Sequence, residues 1–400
     1  MLSAEQLLAE LLKRARPLEE MEVVALDGAL GRVLGKGVVS NVTVPPLDNS
    51  AMDGYAVRTA EVEAGVPMWV SQRITAGRVG QDLQPGTVAR IFTGAPIPPG
   101  ADAVVMQENA IVEGEEVHFP GLPSVGQHIR RAGEDIVAGC EVMCPGTRLG
   151  AAEIGLAASA GAGSLSVVRR LKVAIFSTGD ELAEPGEPIK PGQIYNSNRF
   201  TLSGLLQGLN ADLRDFGRVP DALDATVKTL EQAADWADVV ITSGGVSVGD
   251  EDHVKAALEK LGRLEMWKVA MKPGKPVVFG QVGEADFIGL PGNPVSVFAT
   301  FCLFARPFLL KRMGVTRVLY RAFPVKAAFD WNKAGERREF LRGLMVADGE
   351  GGAEVRLYPN QGSGVLTSAT WGDGFVDIAV GQTVSRGEWV RFIPFSEVSG

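Results

Sequence analysis

The spacing of apolar residues changes along the chain and divides it into regions. Ser3 and Gln6 form a capping-box pattern ahead of leucines at helical spacing, which predicts a short helix that ends before Pro17. From about residue 53 to residue 134 the apolar residues occur in short β-branched runs separated by Gly and Pro. This pattern predicts a small β domain.

A second helical pattern follows the β-rich stretch. It covers residues 148–160 and stops at Gly161. We assign this helix to the same domain as the start of the chain, which gives a discontinuous N-terminal domain of residues 1–47 and 135–170. Residues 48–134 are then predicted to form an inserted small β domain.

The middle of the chain alternates between strand and helix patterns. The predicted elements are strand 172–176, helix 198–209, strand 213–219, helix 221–234, strand 238–242 and helix 252–261. Such alternation predicts a largely parallel sheet with helices on both faces. Two more strands, near 276–279 and 287–290, precede an apolar helix at 294–313 that contains Pro307. Residues 171–315 are therefore predicted to be an α/β domain.

The C-terminal region returns to short strands and turns. Residues 320–400 show no helical period, which predicts a β-barrel-like domain. A chain of 400 residues is also too long for a single compact core. The predicted fold class is α/β plus β, in several domains.

Composition narrows the classes of function. Hydrophobic residues make up 46% and charged residues 22%, which is typical of a globular protein. We see no apolar run of bilayer length and no secretory signal, so we expect a cytoplasmic protein. A net charge of -9 argues against sequence-independent binding of nucleic acid. The three histidines share no metal or triad motif, so carboxylates, lysines and backbone amides must carry any chemistry.

Three polar loops follow predicted strands of the α/β domain. They are residues 177–181 (Ser-Thr-Gly-Asp-Glu), residues 243–252 (Ser-Gly-Gly-Val-Ser-Val-Gly-Asp-Glu-Asp) and residues 291–294 (Pro-Gly-Asn-Pro). Ligands of open α/β sheets bind beyond the carboxyl ends of the strands, so we expect the three loops to meet at one edge. A tight turn without a ligand is the alternative for any one of them.

The loops suit a phosphate and a hard cation. Gly244 and Gly245 allow backbone amides to approach an anion, although the loop is neither a Walker A motif nor a dinucleotide fingerprint. The same loops and the start of the helix at 221 bring carboxylates: Asp180, Glu181, Asp221, Asp250, Glu251 and Asp252. Oxygen ligands of this kind suit magnesium bridged to phosphate oxygens. Helix capping is the alternative for Asp221 and Asp252.

Fixed positive charge is predicted beside these acids. Residues 271–276 (Met-Lys-Pro-Gly-Lys-Pro) hold Lys272 and Lys275 in a backbone stiffened by two prolines, which suits a small oxyanion. Two solvated loop lysines are the alternative. Residues 45–57 and 91–98 are also dense in polar and turn-forming residues, and their pattern fits either ligand contact or an elaborate turn.

Taken together, these motifs resemble the molybdopterin molybdenumtransferase family, which includes bacterial MoeA and the E domain of gephyrin. The resemblance runs nearly from end to end. The matching segments are residues 47–57 (Leu-Asp-Asn-Ser-Ala-Met-Asp-Gly-Tyr-Ala-Val), 93–96 (Thr-Gly-Ala-Pro), 133–136 (Gly-Glu-Asp-Ile), 177–182, 243–249, 272–276 and 290–294.

The resemblance implies an activity and an assembly. Enzymes of this family take adenylylated molybdopterin and molybdate, and with magnesium they release active molybdenum cofactor and AMP. They are elongated homodimers, so the N-terminal domain is expected to take part in dimerisation. Their cleft lies between the α/β domain of one subunit and the N-terminal domains of the other.

The resemblance also implies roles for individual residues. The expected catalytic residues are Asp53, Thr93, Asp135, Glu181, Asp221 and Asp252, and magnesium is expected on Glu181, Asp221 and Asp252. The expected pterin-binding residues are Ser177, Thr178, Gly179, Ser243, Gly244, Gly245, Ser247, Lys268, Pro291 and Pro294. The expected molybdate-binding residues are Lys272, Lys275, Arg342 and Ser363.

Two other functions are compatible with parts of the chain. A molybdopterin adenylyltransferase has a similar α/β domain but normally lacks the inserted and C-terminal domains. A gephyrin-like scaffold is the non-enzymatic alternative. For the favoured enzyme we expect protein partners among the adenylyltransferase and molybdoenzymes, with no nucleic acid and no membrane.

Overall fold

The computed structural model describes residues 1–245 and 253–399, and it has the α/β plus β architecture that the sequence predicts. Helix α1 (Ala4–Arg14) begins at the predicted capping box. The Ser3 hydroxyl accepts a hydrogen bond from the Gln6 amide at 3.2 Å, and the Gln6 side chain accepts one from the Ser3 amide at 2.9 Å. A cap of this type stabilises a helix by about 1 kcal/mol.

The region around the predicted insertion consists of short strands and one helix. Before the inserted sheet lie β1 (Met21–Ala25), β2 (Val33–Leu34), β3 (Val38–Val39) and β4 (Asn49–Ser50). The inserted sheet contains β5 (Gly54–Val57), β6 (Met68–Ile74), β7 (Thr87–Ile91), β8 (Ala103–Met106), β9 (Ile111–Glu113) and β10 (Glu116–His118). After it come β11 (Ile129–Arg130), β12 (Glu141–Met143), α2 (Ala151–Ser159) and β13 (Ser164–Val168).

Strands from both sides of the insertion pair with each other. One sheet has the order β1-β13-β2, and β3 pairs with β12. The inserted strands form a separate six-stranded sheet in the order β8-β5-β7-β6-β10-β9. Leu34 and Val38 share an apolar cluster with Met143 and Leu165. The exact domain limits stay a prediction.

The central region is built around a six-stranded sheet. The elements of the whole region are β14 (Lys172–Thr178), β15 (Leu182–Ala183), β16 (Ile194–Tyr195), α3 (Ser197–Gly208), β17 (Asp212–Val219), α4 (Leu223–Trp236), β18 (Val239–Ser243), α5 (His253–Leu261), β19 (Gly262–Lys268), β20 (Met271–Lys272), β21 (Pro276–Val282), β22 (Ala285–Leu290), α6 (Pro294–Thr300) and α7 (Arg306–Arg312). The strand order is β17-β14-β18-β22-β21-β19. The first four strands are parallel, and β21 and β19 extend the sheet in antiparallel fashion.

Helices cover both faces of this sheet. Side chains of α3, α6 and α7 pack in one apolar cluster, and side chains of α4 and α5 pack in another. Leu7 and Leu11 of α1 belong to the first of these clusters and are fully buried. Helix α1 therefore packs its apolar face on the α/β region, and its assignment to the N-terminal domain with residues 135–170 stays a prediction.

The predicted helix at 294–313 is divided in two. Residues Phe301–Ala305 form a π-helical turn between α6 and α7. Pro307 lies in the first turn of α7, and because proline lacks an amide hydrogen, a local change of hydrogen-bond pattern accommodates it. The segment Pro294–Arg312 is long and apolar enough to cross a membrane by composition alone, contrary to our expectation, but 83% of it is buried inside the fold. It is a core helix.

The C-terminal region forms the predicted barrel. Its elements are β23 (Phe323–Ala327), β24 (Arg338–Ala347), β25 (Ala353–Leu357), α8 (Thr367–Trp371), β26 (Gly374–Ile378) and β27 (Trp389–Pro394). Five strands close in the order β24-β25-β23-β27-β26, with β26 pairing back to β24. Strand β20 from the central region adds to this barrel beside β24. Short 3₁₀ turns occur at Leu26–Gly28, Thr59–Glu61, Gln107–Asn109 and Phe395–Glu397.

A partly buried ion pair lies at the opposite end of the central sheet from the predicted site. Asp286 is the second residue of β22, and its carboxylate lies 3.1 Å from the Arg312 guanidinium. Burial raises the pKa of Asp286 to about 6 from an ordinary value of 3.8, with a smaller contribution from the charge of Asp238, and it does so against the opposing charges of Arg312 and Arg16.

We expect this carboxyl to make stability depend on pH. Its native pKa is raised, so its stabilising contribution is complete below pH 4 and is lost as pH rises through about 6. The stability of the native chain relative to Asp286→Asn should therefore fall between pH 4 and pH 7, by at most about 3 kcal/mol. Urea denaturation of both proteins across this range measures the difference, and parallel pH profiles would contradict the assignment.

Candidate functional site

The carboxyl ends of three neighbouring parallel strands lie at one edge of the central sheet. Ser177 of β14 is in register with Ser243 of β18, which is in register with Leu290 of β22. The two serines are buried, and their hydroxyl oxygens are 3.5 Å apart. The loops that follow these strands therefore start side by side, as predicted.

Glycines allow these loops to touch. The Gly244 amide donates a hydrogen bond to the Leu290 carbonyl at 3.1 Å. Gly245 has a φ of +63°, and a Cβ there would lie only 2.7 Å from the Thr178 hydroxyl. A side chain at this position would be strained and would push two loops apart. Gly292 also lies against Gly244.

Two of the predicted carboxylates lie at the same edge. The Glu181 carboxylate folds back over the Gly179 backbone, where it would collide with any added Cβ. Asp221 follows β17, the neighbour of β14, and is exposed. The Arg218 guanidinium donates to the Leu182 carbonyl at 2.5 Å and ties the two acidic segments together. The sequence predicted Arg218 only as part of a strand and did not indicate this role at the site.

The alternative role of helix capping does not apply to Asp221. The N-cap residue of α4 is Ala222, and no side chain makes a cap hydrogen bond there. The Asp221 carboxylate is therefore not used as an N-cap.

Several predicted site residues lie outside the described part of the chain, namely Ser247, Asp250, Glu251 and Asp252.

Two asparagines at the start of α3 complete the wall of the edge. Asn196 is the N-cap residue, and its side chain accepts a hydrogen bond from the Arg199 amide at 3.3 Å. The Asn198 side-chain amide donates to the Gly292 carbonyl at 2.7 Å and so holds the 291–294 turn. Both side chains are buried. Our sequence reasoning missed them, although an Asn-Ser-Asn run at a helix start is a recognisable capping signal.

Residues 271–276, which we call the lysine loop, lie between the central sheet and the barrel. Lys272 is in β20, opposite Glu339 of β24, and its ammonium nitrogen is 3.4 Å from the Glu339 carboxylate. The Lys275 carbonyl accepts a hydrogen bond from the Val269 amide at 2.8 Å, next to Lys268 at the end of β19. The side chains of Lys272 and Lys275 are exposed. Their charges are therefore accessible, and Glu339 partly balances one of them.

Helix α6 brings three segments together. It starts at Pro294, directly after the 291–294 turn. The Val295 amide in its first turn donates to the Ser363 carbonyl at 2.9 Å. Gly274 of the lysine loop packs against Thr300 of the same helix. The turn, the lysine loop and the barrel loop that carries Ser363 thus share one helix.

Arg342 is placed differently from what the resemblance implied. Its side chain has no exposed surface, and its guanidinium donates to the Ser368 hydroxyl at 2.9 Å, the Gly362 carbonyl at 3.1 Å and the Phe340 carbonyl at 3.3 Å. Burial lowers the pKa of Arg342 to about 10. A guanidinium enclosed in this way supports the loop at 358–363 and does not face a solvent-borne oxyanion, so direct molybdate contact does not fit this geometry.

The N-terminal candidates form a separate group. Asp53 accepts hydrogen bonds from both the amide and the hydroxyl of Thr93, each at 2.8 Å. These bonds, the amide first, hold the pKa of Asp53 below its usual value. Asp135 is exposed in a turn whose amide donates to the Val44 carbonyl. Within the described residues, no hydrogen bond links Asp53, Thr93 or Asp135 to the strand-end loops, the loops that follow β14, β18 and β22 in the same chain.

The donor chemistry of the edge suits magnesium. Among residues 1–245 and 253–399, no group of three or more His, Cys, Asp or Glu side chains is close enough to form a closed protein site. Glu181 and Asp221 nevertheless supply hard oxygen ligands beside the glycine loops. Magnesium usually binds one or two carboxylates together with phosphate oxygens and water, so an open pair fits it.

Profiles of known families match nearly the whole chain. Residues 2–161 match the MoeA N-terminal region (domain I and II), residues 174–311 match a probable molybdopterin binding domain, and residues 324–395 match the MoeA C-terminal region (domain IV).

Individual proteins are similar over most or all of their length. A molybdopterin molybdenumtransferase from Haemophilus influenzae is 39% identical, with 100% of both chains covered. One from Nostoc is 40% identical over 83% of this chain and 79% of its own. The crystal structure of a molybdopterin biosynthesis MoeA protein from Pyrococcus horikoshii has a TM-score of 0.82 and 30% identity, and covers 98% of this chain and 100% of its own.

We expect the Thr93 hydroxyl to contribute measurably to the low pKa of Asp53. Thr93→Ala removes the hydroxyl donor and should raise the pKa of Asp53 toward its ordinary value, whereas Thr93→Ser should keep it low. Carboxyl ¹³C NMR titration of the three proteins measures the effect. An identical pKa in the alanine variant would show that the hydroxyl does not donate to Asp53.

Proposed function

Because the chain belongs to the MoeA family, whose curated relatives are named molybdopterin molybdenumtransferases, we propose that it completes molybdenum cofactor synthesis. In this reaction molybdate is inserted into adenylylated molybdopterin and AMP is released. The observation that supports it most is that glycine loops, acidic groups and exposed lysines converge around β14, β18, β22 and α6.

The anhydride of the substrate is the bond that this edge would help to break. A water oxygen forms a bond to one phosphorus of the anhydride, the bond from that phosphorus to the bridging oxygen breaks, and the bridging oxygen stays on the other phosphate. AMP and the molybdopterin phosphate separate, and the protons of the water pass to the phosphate oxygens or to solvent. The Gly245 amide would donate to a phosphate oxygen, while the Gly244 amide holds the loop through its bond to the Leu290 carbonyl. Buried Ser177 and Ser243 lie where these loops begin. Thr178 and Gly179 continue the same wall. No histidine is needed for this chemistry.

Glu181 and Asp221, with Asp252 from outside the described residues, would hold the magnesium ion. When bound, the ion would neutralise charge on the phosphate oxygens. The residues themselves have a second task, because they orient the attacking water by accepting its hydrogen bonds. Arg218 supports this arrangement by fixing the segment next to Glu181.

Molybdate would bind at the lysine loop. It is a tetrahedral dianion, and Lys272 and Lys275 offer exposed charges on a loop that packs against α6, the helix that also contacts the Ser363 loop. We assign Arg342 to support of the Ser363 loop rather than to contact with the ion. Lys268, Pro291 and Pro294 would bound the pterin side.

The N-terminal residues would act from a second subunit. Asp53, Thr93 and Asp135 carry acidic and hydroxyl groups but make no hydrogen bond to the strand-end loops of their own described chain. A homodimer in which these groups face the α/β site of the partner accounts for both facts. We place the protein in the cytoplasm, where the adenylyltransferase and molybdoenzymes are the expected protein partners.

The two alternative functions account for less of the chain. An adenylyltransferase would use only the central region, whereas the family profiles also match the N-terminal and C-terminal regions. A scaffold would not need the exposed acidic and lysine groups that converge here. Neither alternative has an observation of its own in its favour.

We expect Glu181→Gln to lower molybdate-dependent AMP release by about 100-fold or more, because the amide loses the charge that holds the metal and the water. Glu187→Gln is the matched control, since it makes the same change at an exposed glutamate outside the predicted site, and it should stay within about threefold of the native rate. HPLC of released AMP with adenylylated molybdopterin gives the rate. Equal rates for Glu181→Gln and the native protein would remove Glu181 from the site.

We expect Lys275→Ala to raise the molybdate concentration needed for half-maximal AMP release by about 10-fold, because a charge-assisted contact is lost. Lys260→Ala, an exposed lysine on α5, is the control and should leave the requirement unchanged. The molybdate dependence of the rate gives the result directly. A requirement that does not move in Lys275→Ala would place molybdate elsewhere.

A further inference from the structure

One face of the inserted sheet carries two arginines stacked on a single aromatic ring. Arg73 of β6 and Arg90 of β7 are directly opposite each other in the strand register. Their guanidinium carbons lie 4.7 Å and 4.6 Å from the centroid of the Phe92 ring. Arg90 also lies 5.2 Å from the ring of Tyr55 on β5. We call Arg73, Phe92 and Arg90 the arginine stack.

The guanidinium of Arg90 is held in place by hydrogen bonds as well as by the ring. It donates to the Gly54 carbonyl at 2.9 Å and to the Gln107 side chain at 2.6 Å. The backbone amide of Gln107 donates to the Asp53 carbonyl at 3.0 Å, which fixes the position of this residue. The Arg90 side chain therefore has little conformational freedom left to lose when a ligand binds.

The positive charge of the arginine stack is not neutralised by an ion pair. In the described residues, neither Arg73 nor Arg90 has a carboxylate within ion-pair distance. This is unusual in a chain whose net charge is -9, where acidic groups outnumber basic ones. Arg73 is exposed, so one face of the stack is open to solvent.

The arginine stack lies next to a pair of residues already assigned to the cleft. Thr93 directly follows Phe92, and Asp53 directly precedes Gly54, whose carbonyl holds Arg90. The proposed function brings Asp53 and Thr93 to the α/β site of a partner subunit. The arginine stack would then border the same cleft.

From this arrangement we infer that the arginine stack binds the adenylate part of the substrate, and AMP after its release. Guanidinium groups donate paired hydrogen bonds to phosphate oxygens, and their flat faces stack on aromatic rings such as a purine. A nucleoside monophosphate offers both a phosphate and a ring. Arg73 is the open contact, whereas Arg90 and Phe92 position it. The inference rests on the proposed function for the identity of the nucleotide.

The test is direct binding of AMP to the full-length protein, measured by isothermal titration calorimetry with adenosine as the comparison ligand. Arg73→Gln should weaken AMP binding by about 10-fold and leave adenosine binding nearly unchanged, because it removes the contact to phosphate. Arg73→Lys should retain part of the preference for AMP. Arg78→Gln is the matched control, since Arg78 is an exposed arginine of the same region, and it should bind like the native protein.

The thermal unfolding midpoint separates a structural role from a binding role. An Arg73→Gln variant with a native midpoint and weakened AMP binding supports the inference. Unchanged AMP affinity in Arg73→Gln overturns it, as does a loss of AMP and adenosine binding in equal measure.

The proposed function can fail separately. Native protein that binds AMP through the arginine stack but releases no AMP in response to molybdate would refute the function and leave the nucleotide site intact. Normal molybdate-dependent turnover with AMP affinity unchanged in Arg73→Gln would refute only the nucleotide site.

Discussion

The parallel pairing of β14, β18 and β22 is the constraint on which the site depends. Parallel strands end at the same side of a sheet, and the register here aligns Ser177, Ser243 and Leu290. The loops after these strands therefore start together, whatever their individual sequences. A one-residue slip would turn the side chains of a strand to the opposite face and separate the paired serines. The buried apolar clusters on both faces make such a slip costly.

The sequence predicted best those features that depend on residues close together along the chain. Alternating strand and helix patterns predicted the parallel core, and strand-end glycines predicted the loops that meet there. The start of α1 followed from its capping box, which is a local interaction. These predictions succeeded because each depends on neighbours within a few positions along the chain.

Contacts between distant segments were beyond the reach of that reasoning. Strand β19 was missed because it directly follows α5 with only a short alternation of apolar residues. The packing of α1 on the α/β region was not predicted, because an amphipathic face does not specify its partner. The resemblance implied an anion contact for Arg342, but its guanidinium donates to three neutral oxygens, two of them from residues 362 and 368 on other segments. Such arrangements are set by tertiary packing, for which a single sequence carries no periodic signal.

The lysine loop connects the barrel to the central sheet. Lys272 is hydrogen-bonded into the barrel through β20, while the residues after Gly274 enter β21 of the central sheet. The two lysines, three positions apart, are therefore held by different sheets. Phe340, Phe375 and Ile393 of the barrel share one apolar core with the central sheet. This shared core would set the distance between the two charges, and with it the size of anion that the loop accommodates.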